Sequence, residues 1–177
     1  MNLIRLIGAV ILIAFVSSAN SMYGAASRAA GRDRFVGTWK LELIETQKPN
    51  GEWDNLKDSR LGPDPIGIII YDSAGNMAVQ IMGSNRHSVD LSAIISGKAT
   101  LEEIQSVILG YTAYFGTYEV NEREGYIVHH RRGHLDPTQV GTDAKRFFKF
   151  TGDRLILTLP SREVRLIWKR VNLTNGD

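Results

Sequence analysis

Residues 143–171 read DAKRFFKFTGDRLILTLPSREVRLIWKRV, a line that holds three short alternating runs joined by two turns. In an extended chain, successive side chains point to opposite faces. On the first run Lys145 and Lys149 therefore share one face, and Ala144, Arg146, Phe148 and Phe150 share the other. Lysine ammonium groups belong in water, so the phenylalanine face turns inward. By the same test the last run directs Arg165 and Lys169 outward and Val164, Leu166, Trp168 and Arg170 inward, with Leu155, Leu157 and Leu159 of the middle run joining them. Thr151-Gly152-Asp153 and Pro160-Ser161-Arg162 have turn composition, which makes Asp143–Thr151, Arg154–Pro160 and Glu163–Val171 consecutive hairpin strands.

The same alternation extends toward the N-terminus. Ala113–Asn121 and Gly125–Arg131 flank a short turn, and Tyr114, Gly116, Tyr118 and Val120 form the inward face because Glu119 is the only charge on either side and lies opposite. Ile66–Tyr71 and Asn76–Met82 flank Asp72-Ser73-Ala74-Gly75, another hairpin. Gly37–Thr46 is the first strand, with Trp39, Leu41 and Leu43 on one face. Between these strands, Gln47–Pro65 is loop by its prolines and glycines, pinned by Trp53. Eight alternating strands joined mainly by hairpins leave two raw edges unless they close, and closure removes that liability. The expected fold is all-β, a closed antiparallel up-and-down β-barrel. One segment departs from it: Thr100-Leu101-Glu102-Glu103 has capping-box spacing, and Leu101, Ile104 and Ile108 recur at helical spacing, so a helix covers Leu101–Leu109. Ser88–Lys98 reads equally as helix or loop.

A chain of 177 residues suits one domain with a full core. Arg5, the apolar run Leu6–Val16 and the small residues Ser17-Ser18-Ala19 have signal-peptide form, which assigns 1–19 to export and places the mature protein in a periplasmic or extracellular space. Eleven apolar residues make a helix of about 16 Å, too short for a hydrocarbon core of about 30 Å. Residues 20–34 are Ala-, Ser- and Gly-rich and read as a tether, 35–172 as the barrel domain, and 173–177 as a frayed tail. Cysteine is absent, so neither a disulfide framework nor a cysteine-linked lipid is available. The formal net charge is +2, with its cations scattered among the acids, which argues against a nucleic-acid partner. The densest basic run, His129-His130-Arg131-Arg132-Gly133-His134, reads as a solvated strand end.

No nucleophile elbow, phosphate loop or dinucleotide fingerprint is present. His129 and His130 are adjacent on a strand and face opposite ways, so they do not share a metal ion, and no metal or cofactor is expected. The polar candidates for the barrel interior are Tyr118, His130 and Arg146, which would fix a ligand or perform acid–base chemistry. Arg146 stands among phenylalanines, where an unpaired guanidinium is costly. It is either a binding anchor or the partner of a carboxylate such as Asp136 or Asp143. Asn172-Leu173-Thr174 fits a glycosylation sequon.

Several of these residues carry a resemblance to a known family. Gly37-Thr38-Trp39 and Trp168-Lys169-Arg170, at the two ends of the domain, resemble the opening Gly-x-Trp and closing Arg by which lipocalin barrels plug one end. Gly67 with Tyr71, Gly116-Thr117-Tyr118, His129-His130, Val140-Gly141 with Arg146, and Gly152-Asp153-Arg154-Leu155 are similar in order and spacing to a bacterial and fungal lipocalin-like domain family, over Phe35 to Val171. The resemblance implies a barrel whose interior takes small, mostly apolar molecules, with Gly37, Trp39, Trp168 and Arg170 as its structural floor. It names no ligand, and fold analogy does not supply one. Ser84–Tyr111 departs from the pattern as an insertion whose helix would lid the open end.

Three readings of function follow. The first is an exported barrel that binds a small hydrophobic molecule through Tyr114, Tyr118, His130, Arg146, Phe148, Leu157 and Leu166. The second is a cofactor-free isomerase or cyclase using Tyr118, His130 and Arg146. The third is a structural envelope protein with a filled barrel and a partner-binding exterior. Oligomeric state is not legible in one sequence.

Overall fold

Alternation becomes pairing in the computed structural model, which describes residues 31–56, 60–86 and 88–172. The strands are β1 (Gly37–Gln47), β2 (Trp53–Asn55), β3 (Ile66–Tyr71), β4 (Asn76–Met82), β5 (Tyr111–Asn121), β6 (Tyr126–His134), β7 (Asp143–Thr151), β8 (Arg154–Thr158) and β9 (Val164–Arg170). They hydrogen-bond in the order β2-β1-β3-β4-β5-β6-β7-β8-β9, all antiparallel, and β1 also pairs with β9. The sheet is thereby a closed eight-stranded meander barrel, with β2 an extra strand laid beside the end of β1. Expectation and structure agree on the fold class and on every barrel strand, with boundaries that coincide for β3, β4 and β7 and shift by one to three residues in the others.

β1 departs from simple alternation. Its register against β9 shifts between Leu41 and Leu43, so Leu41 pairs with Trp168 while Leu43 pairs with Ile167 and Ile44 with Leu166. A bulge of this kind inserts one residue and exchanges the two faces of the strand beyond it. Leu43 is therefore turned outward, against the expected inward face, and Ile44 enters the core in its place. The loop expected at Gln47–Pro65 contains β2, where Trp53 pairs with Gln47 and carries the Arg165 guanidinium 4.1 Å above its ring. Leu159 lies beyond the end of β8 and outside the core cluster, so only Leu155 and Leu157 of that run fill the interior.

One end of the barrel is sealed. Phe35 is fully buried against Tyr71, Phe148 and Phe150, in edge-to-face contacts with centroids 5.0–5.6 Å apart. The Trp39 indole N–H donates to the Phe35 carbonyl at 2.8 Å, and the Arg170 guanidinium lies 4.0 Å from the centroid of the Trp39 ring. Arg170 also donates to the carbonyls of Val36 at 2.7 Å and Arg34 at 2.6 Å. Gly37 has φ +130°, and a Cβ there would lie 2.9 Å from Arg170 Nη1, so the position requires glycine. Residues 31–33 form a helical turn, and the amide of Phe35 donates to the Arg32 carbonyl. Residues 31–34, expected within the tether, thus belong to the floor. The expected signal peptide 1–19, the rest of the tether, the 173–177 tail and Leu173-Thr174 of the sequon lie outside the described residues.

At the other end sit the loops after β2, β4, β6 and β8. The β4–β5 connection holds α1 (Leu91–Ile95) and α2 (Leu101–Leu109), so Ser88–Lys98 is helical in part. Asp90 caps α1, and Thr100 and Glu103 form the full capping box at α2. Neither helix has a buried residue, and Leu91, Ile95, Leu101, Ile108 and Leu109 are exposed. The insertion is fastened at its base, by Gly83 N–H to the Gly110 carbonyl at 2.7 Å and Arg86 to the Val107 carbonyl at 3.2 Å. Ile94, Ile104 and Val107 are half-buried, so the insertion turns one side toward the protein and the other to solvent. No described helix is long and apolar enough to cross a membrane.

Candidate functional site

Burial is uneven along the barrel axis. Toward the floor, Trp39, Tyr71, Tyr118, Ile127, Leu155 and Trp168 are all at most 1% exposed. Tyr114, Val164 and Leu166, toward the mouth, face inward but are only half-buried, as are Arg146, which pairs with Ile127, and Phe148, which packs on Phe35 at the floor; each but Arg146 packs against the core cluster. An inward side chain that still meets solvent borders space the core does not fill, and these five mark where the interior is less tightly packed.

The expected ligand residues divide accordingly. Tyr114 and Leu166 are inward and half-buried toward the mouth, and Arg146 and Phe148 are inward and half-buried nearer the floor. Leu157 is inward but buried in the core. Tyr118 is inward in the floor half, its hydroxyl donating to the Asp72 carbonyl at 2.9 Å and its ring 4.8 Å from Tyr71. Burial pushes its phenol pKa up to about 12, so it is committed as a neutral structural donor.

His130 is a correction. It pairs with Thr117 on β5 and Asp143 on β7, both on the outer face, and its Nδ1 meets Asp143 Oδ1 at 2.7 Å, with Glu119 4.0 Å from Nε2. The trio of Tyr118, His130 and Arg146 is therefore not assembled inside the barrel, and the isomerase reading loses its base. The same contacts settle the alternative for Arg146, since Asp143 is engaged with His130 and Asp136 caps the 3₁₀ turn Pro137–Gln139 through the Thr138 amide.

The histidine inside is His129. It is 1% exposed, with Nε2 2.8 Å from the Tyr71 hydroxyl and Nδ1 3.0 Å from the Tyr114 hydroxyl. Burial first, then the charges of Arg146, Arg131 and His130, hold its pKa down to about 3, so the imidazole is neutral. Burial likewise raises the phenols of Tyr71 and Tyr114 above their usual value. Tyr114 is also stacked on His134, with centroids 5.4 Å apart, and lies under the Arg131 guanidinium at 6.0 Å. Sequence reasoning missed His129 and Tyr71 as interior polar groups; counting back from the hairpin pair Asn121–Tyr126 places His129 opposite Tyr118 and would have found the first.

Among the described residues Arg146 has one acceptor, the Lys145 carbonyl, 2.8 Å from Nη1. Among the described residues no carboxylate lies within ion-pair distance of it. The arrangement offers a guanidinium, a phenol and a ring of aromatic and aliphatic side chains to whatever enters. A separate side pocket of about 170 Å³ opens where β1 parts from β3, lined by Ile44, Leu56, Leu61 and Ile66 with Glu42 and Asp64 at its polar edge. It is smaller than the roughly 300–1,000 Å³ of sites that enclose drug-sized ligands.

A comparison with curated proteins finds no match. Among solved structures, a duf4847 family protein from Bacteroides vulgatus is similar with 8% identity and a TM-score of 0.40, covering 76% of this chain and 92% of its own. A point mutant of the fluorescent protein UnaG is similar with 13% identity and a TM-score of 0.35, covering 78% of this chain and 97% of its own. The model of the lipocalin-like domain matches residues 36–172, which is the whole barrel from the residue before β1 to just past the end of β9. With its sealed floor, meander order and matched span, the chain belongs to the lipocalin-like domain family.

Proposed function

We propose that this protein is an exported carrier that binds a small, mostly apolar molecule in the barrel interior. The observation that carries the reading is the set of inward yet half-buried side chains Tyr114, Arg146, Phe148, Val164 and Leu166. A filled barrel would bury all of them, as this one buries Trp39, Tyr71, Tyr118 and Trp168. The support for export is the basic, apolar and small-residue succession over 1–19. Titration with the neutral fluorophore N-phenylnaphthylamine tests the binding: a saturable rise in emission with one site per chain is the expected result. Absence of any rise would show that the interior admits nothing, and would end the carrier reading.

A second reading, an exterior that meets a partner, draws on a different surface. Ile66, Ile68 and Ile70 of β3 and Phe115 of β5 are exposed on the outer wall, with Ala78 joining Ile70 to Phe115 across β4. Apolar patches of this kind mark contact sites more often than isolated aliphatics do. Concentration-dependent sedimentation that disappears in Ile68→Lys would support it; sedimentation as a single unassociating species would remove it.

A further inference from the structure

Alternation sorts the charges of this chain by wall. On β3, β4 and β5 the outward positions carry a single charge, Glu119. On β7, β8, β9 and the first half of β1 they carry cations. Lys40, Lys169 and Arg154 lie abreast, since Lys40 pairs with Lys169 and Lys169 with Arg154. Lys145 and Lys149 follow on β7, and Arg162 joins them from the β8–β9 turn. Cations spread along the sequence are thereby gathered on one side of the barrel.

The carboxylates of that wall do not offset them. Glu42 is held by Arg154 and Glu45 by Arg165, and Asp153 lies 3.3 Å from Arg154 and 3.9 Å from Lys169. Glu163 adjoins Arg162 in sequence without pairing with it. Among the described residues no carboxylate lies within ion-pair distance of Lys40, Lys145, Lys149 or Arg162. Lys40, Lys149 and Arg162 are exposed, and Lys145 is half-buried.

Two features decide which anion suits this wall. Lys145 and Lys149 are four residues apart on one extended strand, about 13 Å, and the outside of a closed barrel is convex, so these cations do not converge on one small anion. The rings among them are already covered. Lys145 Nζ lies 3.7 Å from the centroid of Tyr126, and the guanidinium carbon of Arg162 lies 3.6 Å from that of Phe147. A ring roofed by a cation of the same chain is not free to stack on the bases of a single-stranded nucleic acid. A plane of phosphates asks for neither convergence nor stacking, and it attracts separated cations on a broad face.

We propose that the outer wall of β7, β8, β9 and the first half of β1 is a docking face for an anionic phospholipid surface, with Lys40, Lys145, Lys149 and Arg162 as the cations that meet its phosphates. This face shares no side chain with the interior, so it stands whatever the barrel holds.

The test sediments the purified protein with vesicles of phosphatidylcholine alone and of phosphatidylcholine with phosphatidylglycerol, matched in acyl chains. Any contribution blind to the head group, such as that of an apolar N-terminal segment, cancels in the ratio of the two. The expected result is partitioning about tenfold or more tighter into the anionic vesicles at about 0.05 M salt, and no preference at about 0.5 M. Lys149→Gln, at an exposed side chain, should lower the preference about fivefold, the scale of one cation near such a surface. Lys40→Gln, Lys149→Gln and Arg162→Gln together should remove most of it. Lys98→Gln, Arg123→Gln and Arg132→Gln together change exposed cations elsewhere and lower the net charge equally, and should leave it in place. Equal partitioning into the two kinds of vesicle, or binding to neither, would overturn the proposal. So would equal losses in the two triple variants, which would assign the effect to net charge and not to this wall. Retention on immobilised heparin without vesicle binding would give the wall to a soluble polyanion and overturn it as well.

Discussion

The Arg170 guanidinium lies over the Trp39 indole, 4.0 Å from its centroid, and from that position reaches back to the carbonyls of Val36 and Arg34. One side chain thus ties the last strand to the first and to the segment that precedes it. A cation–π contact contributes about 0.5–2 kcal/mol and each charge-assisted hydrogen bond about 1.5–3 kcal/mol before its solvation cost. Arg170→Ala should lower stability by roughly 2–4 kcal/mol in urea unfolding, since both kinds of contact go together. Gly37→Ala should be destabilising at the same locus, by about 1–3 kcal/mol, because its backbone conformation is one that side chains disfavour. A loss below half a kcal/mol in both would mean that the floor is held by Phe35 alone.

Stability should fall on acidification because His129 is buried neutral. Its pKa is about 3 in the folded protein and near the ordinary imidazole value of 6.5 when unfolded. Between those values the unfolded chain binds the extra proton, so stability is complete above about pH 6.5 and is lost progressively as the pH falls toward 3. Urea midpoints measured across that window should slope downward toward acid, by an amount on the order of a few kcal/mol. His129→Gln, which does not titrate, should be less stable at neutral pH and flatter below it. An unchanged slope in that variant would assign the acid sensitivity to the carboxylates instead.

The difference between the fully buried and half-buried parts of the interior can be read with one bulky residue. Leu166→Trp places an indole where the interior is less tightly packed, and it should cut N-phenylnaphthylamine affinity by about tenfold or more and change stability by less than about 1 kcal/mol. Leu155→Trp places the same indole in the packed core, where overpacking should cost about 1–3 kcal/mol. Equal costs at the two positions would mean that the barrel is solid throughout.

Helix α2 is capped by Thr100 and Glu103 yet has no fully buried side chain, so its stability should be local. Thr100→Ala removes a cap contributing about 1 kcal/mol. Amide hydrogen exchange in Glu103–Ile108 should accelerate about fivefold while the global urea midpoint stays put. A global shift of comparable size would show that the insertion is coupled to the barrel.

The strand pattern was legible because it depends on local alternation, and the inward faces of β5, β7 and β9 came out as read. What alternation does not show is a place where it slips. The bulge in β1 exchanged Leu43 for Ile44, and nothing in Leu41-Glu42-Leu43-Ile44 marks it; the match to Trp168 and Leu166 across the seam does. His129 and His130 failed for a different reason. Ile127 and Val128 are alike in apolarity, so β6 gives no local preference between its faces, and only the register with Tyr118 and Asp143 decides. The floor residues were found through Gly37, Trp39, Trp168 and Arg170, whereas Phe35 required knowledge of where the chain enters.

β1 is the strand on which closure depends. Glu45 and Arg165, which form an ion pair across the β1–β9 seam, are separated by 120 positions in the chain. Every other barrel joint except β4–β5 links neighbours through a brief connection or a single loop, and such contacts form early and rapidly. The seam must wait for β9, so a ribosome has to release the chain as far as that strand before the first strand acquires a barrel partner on its other edge. Until then β1 and the growing end of the meander present open hydrogen-bonding edges, and this interval is when the protein is most exposed to aggregation.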